Sequence, residues 1–527
     1  VGYNDPEPTI LEDGPWTRMR DNYAPTSRIR GALSLAQNVY PVAPAAGGAV
    51  LGRPGYTGLG AQLGAVGART VQGVFQFKKK NSTAYTVAIV GGKFYTVNWG
   101  TRVWTEVLTT AQLTAASVTL STTARVAFLG FADVLLISDG INTPWSWDGT
   151  SGAGVVKLTN APVIYGQFSS YYGRWFGTKA SDRATFVWSE PLQPNTGFEA
   201  GGFANAWTLT QTDSSPITLL VGTNDALNVF RARSATAATG KPDINFSSQG
   251  TREGVAEAEG TSSPWAFVQT ERSIVFIDSD LHPQMTRSGG NLIALWEDLY
   301  ETIRQLPKAS AVNAIAVNFT PAQLFLFAVC DLGSTDPNLI LVFNGAPDIP
   351  VPVAVWRGFS MTAFAMVENA SNAPRLLHGF NGYIYEHANP EDSLWNDEDA
   401  TGTVAIEHIV ESQPLGFDLK REQFFDRLDV SLYTASAMTV DCYYETPRGR
   451  SINQTVTVTG GGAVFDSGLW DGVSFATSSQ EEHESLGLNG EGRWIKAGFH
   501  HKVLGEQFGL NSFAITAYAA NTDPAIP

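Results

Sequence analysis

The chain has 527 residues, 43% of them hydrophobic and only 16% charged, which excludes general disorder and leaves ample material for a core. Its net charge of −16 at pH 7 excludes a protein that grips nucleic acid by neutralising phosphates, because that needs a basic face. The two cysteines, Cys330 and Cys442, are far apart with no partner spacing, so a disulfide framework is excluded and a reducing compartment suits the chain.

The opening residues Val1-Gly2-Tyr3-Asn4-Asp5 have none of the basic and apolar regions of a signal peptide. No apolar run nears the roughly 18 residues that span a bilayer, so a soluble, non-secreted chain is expected. Residues 1–55 read as an extended arm. Pro6, Pro8, Pro15, Pro25, Pro41, Pro44 and Pro54 break any longer helix, and Trp16, Tyr23 and Tyr40 are apolar anchors that must find cover elsewhere. The stretch Gly58–Gly64 has the wrong spacing for a phosphate loop and reads as coil.

From 56 to 400 a unit of short strands recurs. The first holds Tyr85–Val90, the turn Gly91-Gly92 and Lys93–Val97. The second holds Arg125–Leu129, Val134–Ser138 with Asp139-Gly140, and Trp145–Gly149. Then come Arg174–Gly177 with Ala184–Ser189, Ile217–Val221 with Ala226–Phe230, and Trp265–Val268 with Ser273–Ile277. Gln323–Val329 with Leu339–Gly345 makes a sixth unit, and Leu376–Tyr385 around Asn381-Gly382 ends a seventh. Such Gly-containing dipeptides accept positive φ in tight hairpins, so the strands pair antiparallel. Hairpins recurring at near-regular spacing predict an all-β fold, a β-propeller of about six to seven blades that shields its sheet edges. A large β-sandwich is the alternative. One segment, Asn291–Leu306, carries Leu292, Leu295, Trp296, Leu299, Ile303 and Leu306 at helical spacing and predicts a helical insertion stopped by Pro307. After the acidic loop Glu391, Asp392, Asp397, Glu398, Asp399, the longer alternating strands of 401–527 predict a separate β-sandwich-like domain, beginning with Thr403–Glu407.

A search for chemistry yields no catalytic, cofactor-binding or metal residues. Gly149-Thr150-Ser151 lacks the closing Gly of a nucleophile elbow. His483-Glu484 lacks the second His of a zinc-protease helix, and the neighbours His500 and His501 point to opposite faces if they lie in a strand. The acidic loop near 391–399 offers oxygen ligands for Ca²⁺ but not in a calcium-loop order, so a solvated linker is expected. Ser138-Asp139-Gly140 with Trp145 only loosely matches the Asp-box turn of sialidase-like propellers. Lys78-Lys79-Lys80 reads as a hairpin tip. Trp145, Trp147, Trp175 and Trp188 are either blade-packing aromatics or a platform for stacking sugars.

Taken in order, several short motifs resemble one family. Asn38-Val39-Tyr40-Pro41 with Gly52-Arg53-Pro54-Gly55-Tyr56 is similar to the entry of tail nozzle and packaged-DNA stabilisation proteins of short-tailed bacteriophages. Val71–Phe75, Trp147-Asp148-Gly149, Tyr172–Trp175, Val187–Glu190, Asp213 with Pro216-Ile217, Leu227–Phe230 and Lys420–Tyr433 continue the resemblance over most of the chain. The resemblance implies a non-enzymatic virion tail subunit, assembled in the host cytoplasm. It also implies a homohexameric ring with propellers outside and DNA passing through the lumen unbound. The implied partners are the head-to-tail adaptor or another portal-side tail protein, and tail fibres or spikes. It implies no active-site residues. The alternative function is a tail-tip module that binds a receptor or glycan.

Overall fold

The computed structural model describes residues 9–13, 16–21, 32–41, 49–194, 205–209, 215–239, 251–256, 259–271, 273–287, 292–416, 422–434, 437–451, 453–458 and 480–519. Seven antiparallel meanders follow one another through the middle of the chain. Blade one is Val71–Lys78, Ala84–Val90, Lys93–Asn98 and Val103–Leu108, and blade two runs from Ala127–Phe131 to Val155–Lys157. Blades three, four and five begin at Ile164–Tyr171, Ile217–Gly222 and Phe267–Gln269, and blades six and seven at Ile315–Phe319 and Ala363–Glu368. The first strands of blades one to four touch in turn, as do those of blades five to seven, and that of blade seven packs on that of blade one. Blades four and five meet through Leu219, Val221, Phe230, Ile274 and Phe276, which closes the ring. The chain is therefore an all-β propeller of seven blades.

The hairpin chemistry explains the register. Asn381 and Gly382 both take positive φ (47° and 80°) between the paired Phe380 and Tyr383. This is the backbone a two-residue hairpin needs to match the right-handed twist of its strands. Gly91-Gly92 does the same in blade one. In blade two the turn is Ala132-Asp133, at φ 48° and 68°, with no glycine to announce it.

Only blades one to five are self-contained. Blade seven has three strands of its own, and its fourth is Tyr56–Gly58 from the N-terminal segment, paired antiparallel with Tyr383–His387. Blade six ends in Val351–Arg357, and Ala32–Gln37 lies beside it in parallel through Gln37 and Val355. Ala32–Gln37 then pairs antiparallel with His408–Ser412, which leads to Lys496–His501 and Met438–Thr446. Blade six and one sheet of the C-terminal domain are thus a single 11-stranded sheet. The other sheet of that domain is Gln480–Gly492, Gln423–Thr434 and Gly509–Ala519, extended by Val50–Gly52 and Val39–Pro41, with Thr9–Asp13 also on Gly509–Ala519. The two sheets pack Phe425, Leu428, Val430, Leu432, Phe513 and Ile515 of the one with Val440 and Phe499 of the other in a core continuous with blade six.

The N-terminal segment therefore works as a strap with strands in three sheets. Trp16 is buried on Phe513 at 5.7 Å, and Tyr40 is buried too; Tyr23 lies outside the described residues. Two expectations need correction. The helix over Asn291–Leu306 is shorter: Leu292–Ala294 is the fourth strand of blade five, and only Glu297–Leu299 (3-10) and Tyr300–Arg304 (α) are helical, with Asn291 outside the described residues. Pairing with Thr286 and Met285 satisfies the backbone of Leu292 and Ile293, so sheet completion overrides the helical spacing there. The spacing holds only for Leu295, Leu299, Ile303 and Leu306, all buried. The strand expected at Thr403–Glu407 is Gly402–Ala405, and it pairs with Asn396–Asp399 to extend blade seven instead of opening the sandwich.

Candidate functional site

Where strap, blades and C-terminal domain meet, the core turns polar. Arg53 is almost fully buried and uses its whole guanidinium. Nε donates to Asn38 Oδ1 (3.1 Å), and Nη1 to Pro54 O (3.3 Å) and Asp397 Oδ1 (2.8 Å). Nη2 donates to Arg357 O (3.3 Å) and Asp397 Oδ2. Phe359 lies 4.9 Å under the cation. Asn38, at φ 56°, also accepts from Arg357 N (2.7 Å) and donates Nδ2 to Glu407 O (2.8 Å). One bidentate pair thus joins the strap, blade six, the blade-seven extension and the entry to the sandwich. Gly55 lets the strap come this close, since a Cβ there would sit 1.8 Å from Asn396 O.

Two buried histidine pairs flank that pair. His378 Nδ1 lies 2.8 Å from His387 Nε2 inside blade seven, among Tyr56, Phe359 and Tyr385. His408 Nδ1 lies 3.1 Å from His501 Nδ1, stacked on Phe508. Burial, helped by the Arg53 charge, pushes His378 down to about 3. Burial and the neighbouring imidazole hold His387 and His408 well below the ordinary histidine range, and burial lowers His501 against the raising effect of Glu506. These imidazoles are neutral at pH 7 and serve as hydrogen-bonding core groups.

Two cavities open nearby. A cleft of about 340 Å³ beside the junction is walled by Tyr56, Phe359, Phe380, Tyr383 and Tyr385, with Asp399 at its rim. A second, of about 270 Å³, lies on the propeller axis where the inner strands begin, lined by Phe75, Phe128, Trp265, Phe364 and Arg125.

The residues nominated from sequence fall mostly into structural roles. Trp145, Trp147, Trp175 and Trp188 do not form a sugar platform: each is at most 1% exposed. They pack between blade layers against Phe94, Phe168 and Phe176, because an inward strand position leaves no ring face to solvent. The acidic loop is divided up. Asp397 pairs with Arg53, Asp392 with Arg375, Glu398 accepts from Thr57, and Asp399 accepts from Thr401 N (2.7 Å) and Gly402 N (3.1 Å). Among the described residues no cluster of three or more His, Cys, Asp or Glu is placed to hold a metal.

Asp139 is buried and accepts from Ser121 N, Ile141 N and Asn142 N at 2.7–3.0 Å, pinning its loop to the link before blade two. The Lys78–Lys80 tip is tied down by Glu368 (3.2 Å) and Asp148 O (2.7 Å). His500 and His501 point apart, one to Glu407 (3.1 Å) and the other to His408, while His483 and Glu484 are exposed on a long strand. Both cysteines are buried and free, and burial pushes the Cys442 thiol up to about 12. Asp213 and Lys420 lie outside the described residues.

Sequence reasoning missed Arg53–Asp397, because nothing local links positions so far apart. The pair His378–His387 was within reach. The Asn381-Gly382 turn sets His378 opposite Tyr385 and His387 opposite Leu376, so the two imidazoles are diagonal neighbours on one face.

No family model matches the sequence, and no curated protein does. Among solved structures the chain is similar to the computationally designed Ika8 protein (11% identity, TM-score 0.36) and to the N-terminal domain of Nup159 (11%, 0.37). It is also similar to the Pan2 WD40 domain of Neurospora crassa (9%, 0.35). These matches cover 63% of this chain and 99%, 95% and 96% of those chains. At such TM-scores they carry no argument of their own, and the propeller assignment rests on the seven meanders.

Proposed function

We propose that the chain is a non-enzymatic structural subunit of a bacteriophage tail, a nozzle or tail-tube hub. In this reading copies assemble as a ring, with six the expected number, around a channel that retains and then conducts the genome. The observation that carries it is the strap. By closing blade seven, joining blade six to the sandwich and burying Arg53–Asp397, it ties propeller and C-terminal domain into one body, as a ring subunit under load needs. The excess of 50 acidic over 34 basic residues fits a passage from which DNA slides without binding. The propeller's own axis, with a cavity of about 270 Å³, is far too narrow for duplex DNA, so the passage would be built between subunits. The family resemblance points the same way and supplies the expected partners, a portal-side adaptor and tail fibres or spikes.

Immunogold labelling of virions and light scattering of purified protein test the reading together. Tail-localised label with ring-sized particles is expected; a strict monomer absent from virions overturns it. The aromatic cleft favours a second reading, a tail-tip module for glycan, with Tyr383 as the ring face and Asp399 as hydrogen-bond acceptor. A glycan-array signal lost in Tyr383→Ala would favour that reading over the first.

A further inference from the structure

Arg125 sits on the link between blades one and two, immediately before the inner strand Ala127–Phe131. Its Nη2 donates to Asn313 O (2.8 Å) in the 3-10 segment Lys308–Asn313, which leads into the inner strand of blade six. The side chain therefore reaches from the start of blade two to the segment before blade six, and it lines the axial cavity. Its Nη1 is shielded from solvent and has no acceptor. Among the described residues no carboxylate forms an ion pair with Arg125. The acidic groups near enough to act on it are Asp336 and Cys330, and burial raises the Cys330 thiol and keeps it neutral.

The cavity has aromatic and aliphatic walls, with Gln72, Gln167 and Thr362 as its other polar lining. Phe75 and Phe128 stack at 5.6 Å, and Trp265, Phe364 and Met366 complete the walls. Its polar lining is largely engaged already. Gln72 donates to Ser121 O (2.8 Å) and Ala124 O (2.6 Å) and accepts from Gly92 N (2.6 Å), while Thr362 donates to Val71 O (2.8 Å).

A guanidinium held beside apolar rings with an unanswered N–H is a costly arrangement, because buried charges are normally paired. Burial lowers Arg125 only to about 10, so it remains a cation at pH 7. The chemistry asks for one negative charge and an apolar body. A dianionic phosphate would bring a second charge with no partner, whereas a carboxylate needs a single cation. The volume of about 270 Å³ is near the lower end of the ~300–1,000 Å³ usual for small-molecule sites.

We propose that the axial cavity is a binding site for a small monocarboxylate with an aromatic or aliphatic body, its carboxylate beside the Arg125 guanidinium and its body between Phe75, Phe128, Trp265 and Phe364. The site stands apart from the ring reading and does not depend on it.

The test uses the full chain and two matched probes, phenylacetate and the neutral phenylacetamide, in calorimetric titrations, with inorganic phosphate as a third. Phenylacetate is expected to bind about tenfold or more tighter than its amide, a difference of roughly 1.4 kcal/mol, with phosphate no better than the amide. Arg125→Gln is expected to abolish the preference for the acid while leaving the melting temperature unchanged or raised, since it removes an unpaired charge. Equal binding of acid and amide, no binding of either, or phosphate binding as well as phenylacetate would overturn the proposal. So would a marked fall in melting temperature for Arg125→Gln, which would make the arginine a structural tie between blades two and six.

Discussion

Blade three and the junction around Arg53 bury side chains of similar bulk by opposite means. In blade three, Phe176, Phe186, Trp188 and Trp207 pack ring on ring with centroids 5.8–6.2 Å apart, inside a meander that borrows no strand. At the junction, Arg53, Asp397, Asn38 and two histidine pairs are buried in a network whose members come from four parts of the chain. Apolar packing is non-directional and tolerates small shifts. A bidentate guanidinium–carboxylate pair accepts one geometry. The blades thus supply the mass of the fold, and the junction fixes how propeller and sandwich stand relative to each other.

Acid should separate the two regions most strongly. The folded state holds His378 at about 3 and His387 and His408 well below the ordinary 6.5, whereas the unfolded chain protonates all of them near 6.5. Below that pH the unfolded state binds more protons. The contribution of these histidines to stability is therefore constant above about 6.5 and falls as pH drops towards 3, by up to about 1.4 kcal/mol per histidine per pH unit. Urea midpoints at pH 7.5 and 5.5 should show the fall, and His387→Phe should make it shallower. A flat profile would mean that the imidazoles are accessible in the native state.

Next in size is Asp397→Ala, which leaves Arg53 buried without its anion and should destabilise the protein by about 3–5 kcal/mol. The double change Arg53→Met with Asp397→Leu should lose much less stability, because no charge is left stranded. Equal losses in thermal or urea unfolding would show that the pair holds the junction by more than charge compensation. Trp188→Ala should also lose about 3–5 kcal/mol through the cavity it leaves. Its effect should stay local, with hydrogen exchange rising in blade three and not in Gln423–Thr434 of the sandwich. Smallest is Thr109→Ala. Thr109 and Gln112 form a reciprocal cap on the short helix Thr110–Ala115 between blades one and two, and its loss should cost about 1 kcal/mol.

The same contrast explains what the sequence disclosed. Blade hairpins are local, so Gly91-Gly92 and Asn381-Gly382 announce their turns, and the alternation around them announces a propeller. Ala132-Asp133 adopts the same positive φ without a glycine, and only the finished sheet explains it. The strap was legible as extended chain but not as a donor of strands, since Tyr56–Gly58 has no meaning as a blade edge until Tyr383–His387 is beside it. Leu292 misled because helical spacing and a closing strand compete over three residues, and tertiary pairing decides. The aromatic cleft draws on Tyr56, Phe359 and Tyr383, and the axial cavity on inner strands of several blades, so no stretch of sequence contains either.

The central proposal is that this chain, its propeller and sandwich locked together by the N-terminal strap, repeats around a channel lined by negative charge. A cryo-EM reconstruction of the purified full-length protein addresses it most directly. The account predicts a closed ring with the propellers outermost and a carboxylate-rich bore wide enough for duplex DNA. Isolated single subunits, or a ring whose bore is lined by lysine and arginine, would contradict it.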